Sequence, residues 1–141
     1  MNQQELVLVT GGAGFIGSHL VEALLGAGHR VRVVDNLATG RLANLAHLGG
    51  RFEWIEGDLA DSATCRRAAE GAAYVLHHAA VPSVPRSVQE PLSSHESGPT
   101  ATIQMLEAAR LAGVRRACFQ VAQVRLGHGQ EDLVEGGAPV A

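Results

Sequence analysis

The stretch from Val9 to Leu20, VTGGAGFIGSHL, constrains the fold more than any other part of the chain. It joins a continuous apolar run, Leu6 to Val9, to a segment with helical periodicity. A short run that is apolar at every position and ends at glycines suits a strand buried on both faces. From Phe15 onward, Ile16, Leu20, Ala23, Leu24 and Ala27 fall on one helical face, and Gly26 and Gly28 end it. So abrupt a passage from strand to helix needs a residue that takes positive φ without strain, which is glycine.

The alternation continues along the chain. Val31, Val33 and Val34 form a second strand that stops at Asp35, and Phe52, Trp54 and Ile55 form a third. A short helix from Ser62 to Glu70 leads to a fourth strand, Tyr74 to His78, and Pro82 to Pro91 reads as a loop. Proline in a helix interior costs roughly 3 kcal/mol but is welcome at the first position. Gly98-Pro99 therefore places the next helix start near Pro99, with Leu92 to Ser97 as a separate turn. Ile103, Leu106 and Ala109 give that helix an inner face, and Gly113 stops it. The last strand is Ala117 to Val121. The expected fold is α/β, a doubly wound parallel sheet of the Rossmann type with strand order 3-2-1-4-5. Residues 1–124 would form this domain and residues 125–141 an irregular tail.

The glycines satisfy two overlapping templates. Gly12, Gly14 and Gly17 match the general dinucleotide pattern, and Gly11, Gly14 and Gly17 a wider-spaced one. In either, the backbone approaches a diphosphate without a Cβ in the way, and the last glycine lets helix and sheet press together. Free amides near Gly14 to Ile16, at the positive end of the helix, would meet the anion. Asp35 ends the second strand about 20 residues further on, where a carboxylate can accept both ribose hydroxyls. The same charge repels a 2′-phosphate, which favours NAD over NADP.

Other residues are less decisive. Asp58 could accept from an adenine amino group, or could belong to a turn that Asp61 or Ser62 caps. His77 and His78 are adjacent on a strand, so they point to opposite faces and do not chelate one metal. Ala79-Ala80 is small enough to leave room for a ligand across the sheet. Glu131 and Asp132 read as a solvated pair.

The formal net charge is −3, and all eleven basic residues are arginines without a run, which argues against a nucleic-acid partner. No apolar segment approaches the roughly 20 residues needed to cross a bilayer. Cys65 and Cys118 fit no metal spacing and read as reduced thiols of a cytoplasmic protein.

Together these residues resemble the extended short-chain dehydrogenase/reductase family, in particular its NAD-dependent nucleotide-sugar epimerases and dehydratases. The matching segments are TGGAGFIGSHL, DNLATG, GDLAD, VLHHAAVPSVPRSVQEP and LEAARLAGVRR, in family order up to about Arg116. Ser83 to Ser87, SVPRS, is similar to the UDP-N-acetylhexosamine 4-epimerase branch. The resemblance implies that Gly11, Gly14 and Gly17, with Phe15 and Ile16, hold the diphosphate. It places Asp35 and Asn36 on the adenosine ribose, with Thr39 and Gly40 nearby. Asp58 and Leu59 would border the adenine, and Ala79 and Ala80 would lie toward the nicotinamide.

The departures from the family pattern are equally informative. Its fourth-helix asparagine and glycine fall on Gly98 and Ala101, with Pro99 between them. Its serine-rich run ending in tyrosine-glycine falls on QVAQVRLG, Gln120 to Gly127, which has no hydroxyl. Its Tyr-x-x-x-Lys acid-base pair has no counterpart, because the 141 residues contain no lysine and Tyr74 is the one tyrosine. The substrate domain that binds a sugar nucleotide in the family is not recognised. The expectation is an NAD-binding domain without epimerisation of its own. Two alternatives stand beside it: an active enzyme borrowing a partner chain or a base such as His78, and an interaction module with a vestigial site. The resemblance also implies a homodimer through the helix carrying Ile103, Leu106 and Leu111.

Overall fold

The computed structural model describes residues 4–79 and 84–119. Five strands, β1 (Leu6–Thr10), β2 (Arg30–Asp35), β3 (Glu53–Glu56), β4 (Tyr74–His77) and β5 (Arg116–Phe119), form one sheet. Its order is β3-β2-β1-β4-β5, and every neighbouring pair is parallel. The helices are α1 (Phe15–Gly26), α2 (Ser62–Ala69), α3 (Val84–Gln89), α4 (Pro91–His95) and α5 (Ala101–Leu111). The sheet is the doubly wound, Rossmann-like one that the alternation predicts. The last two residues of the expected fifth strand and the tail 125–141 lie outside the described residues.

Every residue of β1 is buried, because both faces of this central strand are covered. Leu6 and Leu8 join Val34 and Val75 in a core against α2 and α5. Val7 and Val9 join Val31 and Val33 on the other face, against Val21 of α1 and against Leu45 and Leu48. Those two leucines belong to a 3-10 helix, Leu42–Leu48, which a search at the α-helical period does not reveal. Its signal is the three-residue spacing of Leu42, Leu45 and Leu48, the 3-10 period.

The structure corrects the sequence reading in four places. In α1 the buried residues are Gly17, Ser18 and Val21, one position round from the predicted stripe, and Ile16 is 50% exposed. Gly17 faces the turn after β1, where a Cβ would strike the backbone of Gly11 and Gly12. Residues 84–89, expected as loop, are helical. Pro85 and Pro91 sit at helix starts, where a missing N–H costs nothing.

The chain also stays helical from Pro91 to Leu111 with no break at Pro99. Residues Glu96–Thr100 widen into a π turn, and the Ala101 amide reaches back to Glu96 O. The wide turn accommodates a proline that can neither donate nor tolerate a carbonyl beneath its ring. Finally, α5 buries Ala101, Met105, Ala108 and Ala109, whereas Ile103 and Leu106 face outward. Its contact with α2 is lined by alanines, Ala68 and Ala69 among them, and so close an approach leaves no room for larger side chains.

Candidate functional site

The glycine turn, Asp35 and Ala79 come together at the C-terminal edge of the sheet, where β1 and β4 part and their connections leave in opposite directions. Ligands of open α/β sheets bind at such a switch point. Gly11 turns the chain out of β1 with φ +69°, and a Cβ there would lie 2.8 Å from the His78 carbonyl and the Ala79 amide. Gly17 packs directly on the turn, its hypothetical Cβ lying 2.2 Å from Gly11 O. At Gly12 a Cβ would strike Val33 at 2.5 Å. Packing within the protein thus calls for glycine at all three positions.

Gly14 is different. A Cβ there would meet only Gly11 O, at 3.3 Å, and its φ of −78° suits any residue. A Cβ at the mouth of α1 would thus make a tight contact, but one far less severe than at the other three glycines. The Gly14 amide itself is spent on Gly11 O at 3.1 Å, a correction to the expectation that it is free. The open donors are the amides of Phe15, Ile16 and Gly17, which have no protein acceptor among the described residues. No side chain caps this helix, and no acid lies in its first turn. The result is an unneutralised positive helix end, a ready anion site.

Asp35 ends β2 at 9% exposure. Its Oδ2 accepts the Ala13 amide at 3.0 Å and its Oδ1 the Leu37 amide at 2.8 Å. Both bonds orient the carboxylate, and its remaining lone pairs are available to ligand hydroxyls. Asn36 and Thr39 are exposed beside it, and Asn36 Oδ1 accepts the Ala38 amide. Gly40 comes so close that a Cβ would lie 3.0 Å from Asp35 Oδ2. Asp58 is exposed after β3 and accepts the Ala60 amide, while Leu59 is buried in the core. Asp61, not Ser62, caps α2. Ala79 follows β4 at the switch point, and Ala80 lies outside the described residues.

Thr10 is a buried hydrogen-bonding position beside the switch point that the motif alone does not expose. Its hydroxyl accepts the amides of His78 and Ala79, at 3.0 and 3.1 Å. Its own proton is therefore assigned to Nδ1 of His77, 2.7 Å away. That leaves the His77 proton on Nε2, facing Thr102 Oγ1 at 3.2 Å. Burial, with His78 adding repulsion, pushes the His77 pKa down to about 4. His77 is thus a neutral latch joining β1, β4 and α5, with Phe119 edge-on against its ring. The described residues contain no cluster suited to a metal and no helix long and apolar enough to cross a membrane.

A parallel sheet in this order, with a glycine turn at its switch point, defines the Rossmann-like class. Within it, residues 7–135 match the NAD dependent epimerase/dehydratase family, and the chain belongs to that family. It is 45% identical over 112 residues to a UDP-glucose 4-epimerase of Mycolicibacterium smegmatis, covering 77% of this chain and 36% of that protein. A UDP-glucose 4-epimerase of Klebsiella pneumoniae is 38% identical over 119 residues, 80% of this chain and 86% of the relative. Among solved structures, the UDP-Glc/GlcNAc 4-epimerase of Campylobacter jejuni superposes with a TM-score of 0.83 at 29% identity. That match covers 97% of this chain and 43% of the other. The UDP-glucose 4-epimerase of Thermus thermophilus, solved in complex with NAD, gives a TM-score of 0.71 at 40% identity, covering 79% and 36%. The chain thus spans between a third and a half of most of these proteins.

Proposed function

We propose that these 141 residues bind NAD as the nucleotide-binding part of a nucleotide-sugar 4-epimerase or dehydratase framework, and do not epimerise a sugar nucleotide by themselves. One observation carries the cofactor assignment: three unpaired amides open α1 opposite an oriented carboxylate at the tip of β2. A diphosphate meets the amides while the adenosine ribose meets Asp35, and Gly14 leaves the space between them clear. The NAD complex of the Thermus relative supports the same assignment.

Two observations oppose catalysis by this chain alone. It has no lysine to pair with a tyrosine. Its single tyrosine, Tyr74, starts β4 at the edge of the sheet away from the glycine turn, with the Arg115 guanidinium 5.8 Å from its ring centre. General acid-base help of this kind is worth about 10²–10⁴ in rate. His77 does not replace it, since both ring nitrogens are bonded. The outward Ile103 and Leu106, 65% and 41% exposed, suit a two-fold helical contact, and we assign the chain a homodimer through α5. Two free cysteines fit a reducing, cytoplasmic setting.

Calorimetric titration of the full chain tests this. NAD should bind in the micromolar range, with NADP and the Asp35→Ala variant each at least about tenfold weaker. UDP-galactose incubated with NAD and the chain should stay unconverted. NAD binding no better than about millimolar, or an unaffected Asp35→Ala variant, overturns the cofactor assignment. Light scattering should report a dimer that Leu106→Asp dissociates.

A further inference from the structure

Ala13 ties together the two halves of the nucleotide site proposed above. It is fully buried. Its amide donates to Asp35 Oδ2 at 3.0 Å. Its carbonyl accepts twice, from the Arg41 amide at 3.0 Å and from Asn44 Nδ2 at 2.8 Å. Both lone pairs of that oxygen are therefore filled. The peptide plane held in this way is the one leading into α1, and its other end, the Gly14 amide, is bonded to Gly11 O. The turn cannot rotate without breaking these bonds together.

The anchor for this hold is tertiary. Asn44 is the third residue of the 3-10 helix, whose Leu45 and Leu48 are 2% and 1% exposed beneath it. With its neighbour locked in the core, Asn44 presents its carboxamide to the turn from a rigid base. Gly40 completes the contact, because a Cβ there would lie 2.9 Å from the Ala13 carbonyl carbon.

We propose that Asn44 is a positioning residue of the site: acting through Ala13, it sets the aim of both the α1 amides and the Asp35 carboxylate. The proposal rests on the nucleotide assignment above, and it predicts an effect on selectivity as well as on affinity. A carboxylate free to swing away tolerates a 2′-phosphate better than a fixed one. Loosening Ala13 should therefore weaken NAD while narrowing the preference for NAD over NADP. Loss of general packing does not predict that second change.

The test uses the full chain with Asn44→Ala and the isosteric Asn44→Asp, which cannot donate to a carbonyl. Each should bind NAD roughly tenfold more weakly and show a smaller NAD-to-NADP affinity ratio. Wild-type affinity and ratio in a folded variant overturn the proposal. Amide hydrogen exchange of the ligand-free protein supplies an arm independent of binding. In either variant the Ala13 amide should exchange at least about tenfold faster while Val7 and Val9 are unchanged. An unchanged Ala13 rate overturns the proposal whatever the titrations show. A wild-type chain that fails to bind NAD, with Ala13 exchange accelerated in the variants, ends the nucleotide assignment and leaves the Asn44 hold standing.

Discussion

The N-termini of α1 and α2 face the same physical problem and solve it in opposite ways. Each begins with backbone amides that have no partner inside the helix. At α2, Asp61 accepts the amides of Ala63 and Thr64 and the Thr64 hydroxyl, so the end is closed by the protein's own charge. At α1 the capping position is Gly14, no side chain reaches the amides, and no acid sits in the first turn. Phe15 at that end is 78% exposed. The difference separates a helix end closed by the protein's own side chains from one left open, at some cost in stability, which suits the anion site proposed above.

The largest effect expected at either end is structural. Gly17→Ala forces a Cβ against the backbone of Gly11 and should destabilise the fold by about 3 kcal/mol or more in chemical denaturation. Acid should then separate the two ends. The folded His77 pKa lies below its ordinary 6.5, so the neutral ring favours the fold. That contribution is complete above pH 6.5 and drains as pH falls toward about 4, up to about 3 kcal/mol in all. Within this window the unfolded chain takes up the proton while the folded ring stays neutral, and only below about pH 4 is the folded Nδ1 protonated, so that it no longer accepts the Thr10 hydroxyl. The Asp61 cap, its carboxyl held below 3.8 mainly by the Thr64 hydroxyl, should survive there. Histidine NMR titration and urea denaturation across pH 4–7 read both changes, and a stability flat over this window breaks the latch assignment.

Asp61→Ala should lower the thermal midpoint by a few degrees and leave NAD affinity unchanged. Gly14→Ala should do the reverse, with the smallest change in stability, within about 0.5 kcal/mol, and a loss of NAD affinity of about tenfold or more. If Gly14→Ala cost stability and spared binding, the contrast between the two helix ends would disappear.

Much of this was legible in order along the chain. The run Leu6 to Val9, the turn glycines and Asp35 are local signals, because a buried strand, a sharp turn and a strand tip each impose their demands on a few consecutive residues. Helix faces were harder. Ile16, Ile103 and Leu106 are apolar at helical spacing yet lie outward, since the inner positions went to smaller residues where elements approach closely. Pro85 and Pro91 read as parts of a loop but begin helices, and Pro99 read as a helix start but is taken up by a widened turn within one.

The order of hydrophobic runs and glycines determined the class of fold and the place where a nucleotide would lie, because those demands act between residues near in sequence. Only the tertiary structure decided which amides stay open, that Thr10 and His77 close the floor, and that Ala13 joins Asp35 to Asn44. These last contacts link residues 22 and 31 apart, and no periodicity marks a hydrogen bond between groups that meet only once the sheet has formed.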